Sequence, residues 1–168
     1  MKDVRPTSGR VLSALFSILG DKIQSAKFLD VFAGTGHVGF EALKRGADSC
    51  VFIESVRSRA EEIKQNSGEN IVLSLDVRRA VSWLVKRDMK FDIIFADPPY
   101  NSGWCDVLPA LKDLCSLFDD ECILVIEHSV REDLTLKDNP NKLEIISRRE
   151  YGETCLTFLK RTEKFTDR

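Results

Sequence analysis

No apolar run in this sequence is long enough to cross a bilayer. The longest, such as Ile123 to Ile126, fall far short of the roughly 18 residues a membrane helix needs, and Met1-Lys2-Asp3 leads into no signal-like apolar core. A cytoplasmic protein is expected. Cysteine is sparse: Cys50, Cys105, Cys115, Cys122 and Cys155 are odd in number and never form a CxxC pair. That argues against a disulfide framework and a thiolate zinc site and leaves reduced, packed thiols. Excess positive charge is missing too, since 25 Lys and Arg against 27 Asp and Glu leave a net charge of −2. The field of the whole molecule therefore cannot grip nucleic acid, and any such contact must be a local basic patch. With 9 Gly and 5 Pro the chain carries no linker or low-complexity stretch, and no internal repeat is visible. What remains is one domain spanning residues 1–168, expected as a monomer, 43% hydrophobic and long enough to bury its own core.

Within it, apolar periodicity alternates. Residues 1–20 hold an N-terminal motif and a helix: Val11, Leu12, Leu15, Phe16 and Leu19 fall at helical spacing behind a Thr7-Ser8 cap signal, and Gly20 stops the run. Strands then read at Phe28–Ala33, Cys50–Glu54, Ile71–Leu75, Phe91–Ala96 and Cys122–Glu127. The helices between them read at Val38–Arg45, Arg57–Asn66, Val77–Lys86 and Trp104–Phe118. Near-continuously apolar strands separated by helices are what a parallel sheet covered on both faces requires. The end differs, because the runs Leu143–Arg149 and Thr154–Lys160 are joined by only Glu150-Tyr151-Gly152-Glu153, which predicts an antiparallel hairpin.

Gly34-Thr35-Gly36-His37-Val38-Gly39 is a GxGxxG between a strand and a helix, and Glu54 closes the next strand. The pattern alone fits a dinucleotide, or a tight turn with no ligand. Asp30 favours another cofactor. It lies inside the first strand, where a dinucleotide-binding strand is apolar and where a carboxylate needs a polar partner. The ammonium and sulfonium of S-adenosylmethionine supply positive partners, and Glu54 can accept hydrogen bonds from both ribose hydroxyls. Asp76, ending the third strand, is placed to receive the adenine amino group or to cap the helix after it. The expected cofactor set is Asp30, Phe32, Ala33, Gly34, Thr35, Gly36, Gly39, Glu54, Ser55, Asp76 and Val77.

Asp97-Pro98-Pro99-Tyr100 ends the fourth strand, beside the glycine loop and at the edge where doubly wound sheets bind ligands. The exocyclic amine of a nucleobase is a poor nucleophile, because its lone pair is delocalised into the ring. A catalyst must hold both N–H groups and let nitrogen pyramidalise toward a methyl donor. The Asp97 carboxylate and the Pro98 carbonyl are two acceptors suited to that, the prolines fix the backbone, and Tyr100 offers a face on which an extruded base can stack. The plain alternative is a strand-ending Asp-Pro turn. No metal is called for, since the sulfonium is itself the electrophile. Cys105 reads as a packing residue. His128, after Glu127, reads as a polar strand end or as a residue facing the site.

Arg5-Pro6-Thr7, Arg10-Val11, Leu15 to Leu19, Asp30 to Gly36, Glu41-Ala42-Leu43-Lys44-Arg45-Gly46-Ala47 and Asp97 to Tyr100 together resemble the bacterial 16S rRNA guanine-N2 methyltransferase family known as RsmD. The resemblance covers nearly the whole chain. It implies a Rossmann-like class I methyltransferase, α/β, with a mostly parallel seven-stranded sheet and an antiparallel C-terminal hairpin strand. It further implies methylation of the 2-amino group of a guanine in the 16S rRNA of the small ribosomal subunit, with Thr7 and Arg10 closing over the methionine end of the cofactor and Arg5 touching RNA. Family members carry a longer basic segment ahead of the Arg-Pro-Thr motif, where only Met1 to Val4 stand here, and Gly9 replaces a common acidic residue. Arg148-Arg149 is the other basic candidate for RNA, or a solvated hairpin surface. A DNA adenine or cytosine amino-methyltransferase would share Asp-Pro-Pro-Tyr, but no segment here is long enough to read a base sequence. A non-catalytic nucleic-acid-binding module is the reading from another class.

Overall fold

The computed structural model describes residues 7–162, so Arg5 lies outside the described residues. Ser8 caps the first helix, α1 (Gly9–Leu19), its hydroxyl accepting the Val11 N–H at 3.3 Å. A 3₁₀ turn at Gly20–Ile23 leads into β1 (Lys27–Val31). There follow α2 (His37–Lys44), β2 (Ser49–Ile53), α3 (Arg57–Asn66), β3 (Val72–Leu73) and α4 (Val77–Val85). Then come β4 (Phe91–Ala96), α5 (Trp104–Ala110), β5 (Phe118–Ser129), β6 (Leu143–Tyr151) and β7 (Thr154–Arg161).

The strands form one seven-stranded sheet in the order β3-β2-β1-β4-β5-β7-β6. The first five pair in parallel, and β7 runs antiparallel to both its neighbours. β6 therefore points the same way as β1 to β5, and β7 alone is reversed. Strand alternation sends side chains to two cores. Phe28, Phe52, Ile93, Phe95 and Val125 pack under α1, α2 and Ile63 of α3. Leu29, Val31, Ile94, Leu124 and Ile126 pack under α4, α5 and the turn after it. The strand order switches direction between β1 and β4, the point where a doubly wound sheet opens a crevice at its carboxyl edge.

Helix α5, strands β5 and β3, and the hairpin differ from the sequence reading. The helix expected over Trp104–Phe118 ends at Ala110, because Pro109 brings no N–H to its last turn, Leu111 is extended and Asp113 takes φ 66°. Leu114–Leu117 is a separate 3₁₀ turn, and β5 starts at Phe118, where it pairs with Phe91. The third strand shrinks to Val72–Leu73 at the sheet edge. The hairpin closes more tightly than expected: Tyr151 pairs with Thr154 and only Gly152-Glu153 form the loop, Gly152 supplying the positive φ of 61° that a two-residue turn demands.

Candidate active site

At the carboxyl edge of β1, β2, β3 and β4 lies a cleft of about 690 Å³, within the usual range for a small-molecule site. Each wall comes from a strand end. Leaving β1, Phe32 is held at φ 60°, a conformation that a bulky residue keeps only when its surroundings impose it. Phe32, Ala33, Gly34 and Thr35 then line the cleft before α2 begins. From the end of β2 come Glu54 and Ser55, and Asp76 with Val77 come from the N-cap and first residue of α4. Asp97, Pro98, Pro99 and Tyr100 follow β4, while Thr7 lines the cleft from the segment before α1.

The carboxylates are tied down by backbone amides. Glu54 is buried and accepts the Gly34 N–H on Oε2 and the Val56 N–H on Oε1, both at 2.8 Å, so it clamps the glycine loop to its own turn. Arg59 of α3 stands 3.9 Å from the same carboxylate. Asp30, 1% exposed, accepts the Gly39 N–H at 2.9 Å. Burial raises its pKa to about 7, the bond from Gly39 opposes the rise, and the charge of Glu54 adds to it. Asp97 is pushed well above the ordinary carboxylate range by burial, then by the nearby Glu127 and Asp30. Asp76 caps α4, accepting the Arg79 N–H at 3.1 Å, and also lines the cleft, so both readings of it coexist.

The structure does not bring every expected residue here. Arg10 is exposed on α1 and stacks over Tyr151 at 6.0 Å instead of lining the cleft. Gly36 and Gly39 do not line it either: Gly39 faces Phe52 and Cys50 across the α2–β2 contact. His128 is fully buried away from the cleft. Its Nδ1 lies 2.9 Å from the Ser129 carbonyl, which assigns that nitrogen the proton, and its Nε2 then accepts the Thr157 hydroxyl at 2.8 Å. All five cysteines are buried and free. Arg148 and Arg149 lie on β6, Arg149 exposed and Arg148 3.3 Å from Glu150. No helix among the described residues is long and apolar enough to cross a membrane.

Sequence reasoning missed Trp104, Arg59 and Leu75 on the cleft wall. Trp104 packs edge-on to Phe32 at 5.2 Å, and Arg78 lies over its ring at 4.8 Å. It also missed Glu127, 4% exposed at the end of β5, whose Oε2 accepts the Thr7 hydroxyl at 2.8 Å. The available signal was positional: a charged residue ends the apolar run of β5 just as Asp97 ends that of β4.

An acid-rich cleft at the sheet's switch point, with Asp-Pro-Pro-Tyr on one wall and a glycine loop on another, agrees with the similarity of this chain to known proteins. Residues 1–160 match a family model described as "Conserved hypothetical protein 95". The chain is 29% identical to "Putative rRNA methyltransferase YlbH" of Bacillus subtilis, over 94% of this chain and 88% of that protein. It is 32% identical to "Ribosomal RNA small subunit methyltransferase D" of Escherichia coli, over 78% and 67% respectively. Among solved structures, "Putative methyltransferase yhhF from Escherichia coli" superposes with a TM-score of 0.78 at 28% identity, over 96% of this chain and 89% of that one. With its Rossmann-like class I architecture and a model match across nearly its whole length, the chain belongs to the RsmD-type family of methyltransferases.

Proposed function

We propose that this chain transfers a methyl group from S-adenosylmethionine to the exocyclic 2-amino group of a guanine in the 16S rRNA of the small ribosomal subunit. The observation that carries the reading is that Asp97-Pro98-Pro99-Tyr100 shares one cleft with the Gly34 loop and Glu54, so an amine acceptor and a cofactor seat adjoin. The names of the relatives support ribosomal RNA as substrate.

S-adenosylmethionine supplies an electrophilic methyl on a sulfonium. The chain's residues fit it by charge and by free acceptor capacity. Asp30 is a carboxylate whose burial makes ionisation unfavourable until a cation sits beside it. Glu54, held by two amides, keeps lone pairs for the ribose hydroxyls. Asp76 and Val77 lie beside the adenine end, with Leu75 and Trp104 as apolar wall. On the substrate side Asp97 Oδ and the Pro98 carbonyl accept the two amine hydrogens, and Tyr100, 44% exposed, stacks on the extruded base. Reaction makes the amine nitrogen positive, and the Asp97 carboxylate stabilises that charge before a proton leaves.

Asp30 makes cofactor binding pH-dependent. A cation beside it favours the ionised form, so below about 7 binding must expel the Asp30 proton and weakens as pH falls, by up to about tenfold per pH unit; above that pH the affinity levels off. Calorimetric titration with S-adenosylmethionine from pH 6 to 8, in two buffers of different ionisation enthalpy, reads both the affinity and the released proton. A flat profile with no proton release removes Asp30 from the cation's surroundings.

RNA contact is assigned to local basic residues, with Arg5 and the Arg148-Arg149 pair first. β6 runs parallel to β5, so its last residues lie at the same end of the sheet as the cleft. Reversing both charges (R148E/R149E) should weaken binding to small subunits and lower the slope of log affinity against log salt by about 1 for each phosphate left without its arginine. An unchanged slope puts the patch elsewhere. The function itself is tested by methyl transfer to small subunits from cells lacking this gene, beside duplex DNA, followed by nucleoside analysis. N2-methylguanosine in 16S rRNA is expected; label appearing only in DNA, or on adenine N6, overturns the reading.

A further inference from the structure

Glu127 takes no part in the chemistry proposed for the cleft, yet it is buried beside the residue on which that chemistry depends. In the β4–β5 register Ala96 pairs with Ile126, so Asp97 and Glu127 follow as the next pair across adjacent strands. Both continue the alternation of Ile93, Phe95, Ile123 and Val125, which puts them on the face covered by α1. Asp30 lies on that same face of β1, paired with Phe95. A buried acid has no role in packing α1 that a Val or Leu would not fill better, since burying a carboxylate is costly without partners. The Thr7 hydroxyl donates to it at 2.8 Å, and Thr7 lines the cleft.

We propose that Glu127 is a positioning residue for methyl transfer: from the strand beside Asp97, fastened to Thr7, it holds the start of α1 over the cleft and governs by its own charge how readily Asp97 accepts the hydrogens of the target amine. This rests on the reading of Asp97 as amine acceptor. Among the described residues, the titratable groups facing Asp97 come from each neighbouring element: Asp30 of β1, Glu127 of β5 and Cys105 of α5. Beyond them stand Glu54 with Arg59 beside Asp30, and Glu132 beside Cys105. Two carboxylates on adjacent strands repel when both are ionised, so the pair keeps a proton to a higher pH than either acid alone. The Thr7 hydroxyl stabilises the ionised form of Glu127, which leaves the remaining proton on Asp97.

Glu127→Gln keeps the shape and an acceptor oxygen for Thr7 but removes the charge. Thr7→Val removes the hydrogen bond that favours ionised Glu127. In both variants Asp97 should lose its proton at lower pH. Two readouts follow: carboxyl carbon NMR of Asp97 in the protein alone, and the acid limb of single-turnover methyl transfer to small subunits. Both should move to lower pH, and Glu127→Asp should restore the parental limb. A folded Glu127→Gln or Thr7→Val protein whose Asp97 titrates as in the parent overturns the proposal, and so does a rate lowered equally at every pH. The NMR readout in either variant decides the matter if the other does not fold. Failure of the underlying reading is seen separately, as an Asp97→Asn protein with the parental rate.

Discussion

Asp97→Asn is expected to lower turnover on small ribosomal subunits by about 10²–10³, the loss found when one group stabilising a developing charge is removed, while S-adenosylmethionine affinity stays near parental. The side chain keeps its shape. What it loses is the negative charge and one acceptor oxygen, both of which matter more as the methyl arrives than when substrate is merely bound. Burial strengthens the effect, because the same conditions that push the Asp97 carboxyl upward leave few water dipoles to substitute for it. Resemblance to amine methyltransferases that carry Asn at this place means residual activity is expected. Single-turnover rates on parental and variant proteins, with cofactor affinity measured by calorimetry, check it. A folded variant working at the parental rate would reduce Asp-Pro-Pro-Tyr to a turn.

The parts of the molecule visible in the sequence are those set by local pattern. Asp30 and Asp97 stand out because each interrupts or ends a run of apolar residues, and the glycine loop because its spacing fits a single turn geometry. Arg10 departs from its expected place for a geometric reason. It follows Thr7 by three residues, but a helix begins between them, and the buried face formed by Val11, Leu12 and Leu15 turns Arg10 outward toward Tyr151. The α5 region reads as one long helix because Trp104, Leu108, Leu111, Cys115 and Phe118 keep helical spacing. That spacing cannot register that Pro109 brings no N–H to the helix ladder or that Phe118 finds a ladder partner in Phe91. Strand order and the Asp97–Glu127 pairing are long-range facts. Glu127 ends an apolar run as Asp97 does, but that position gives it a partner in the site only once β4 is laid beside β5.

Gly39 tests how far a motif glycine serves the ligand and how far it serves packing. A Cβ built there would lie 2.4 Å from Phe52 Cε1 and 2.7 Å from Cys50 Sγ, and both side chains are essentially sealed, at 0% and 1% exposure. Alanine would raise helix propensity by about 1 kcal/mol at an unhindered site. Here α2 must lift from β2, and forcing an atom into a filled core typically costs about 1–3 kcal/mol, occasionally more. Gly39→Ala is therefore expected to be a net loss, and Gly39→Val a larger one, each kcal/mol lowering the melting temperature by about 2–4 °C in a domain of this size. The displacement also stretches the Gly39 N–H bond to Asp30, so cofactor affinity should fall together with stability. Thermal unfolding and calorimetric titration on the same variants separate the two roles. Had Gly39 been required for close approach to a ligand, Gly39→Ala would lose affinity at an unchanged melting temperature; the contact with Phe52 and Cys50 requires the melting temperature to fall first.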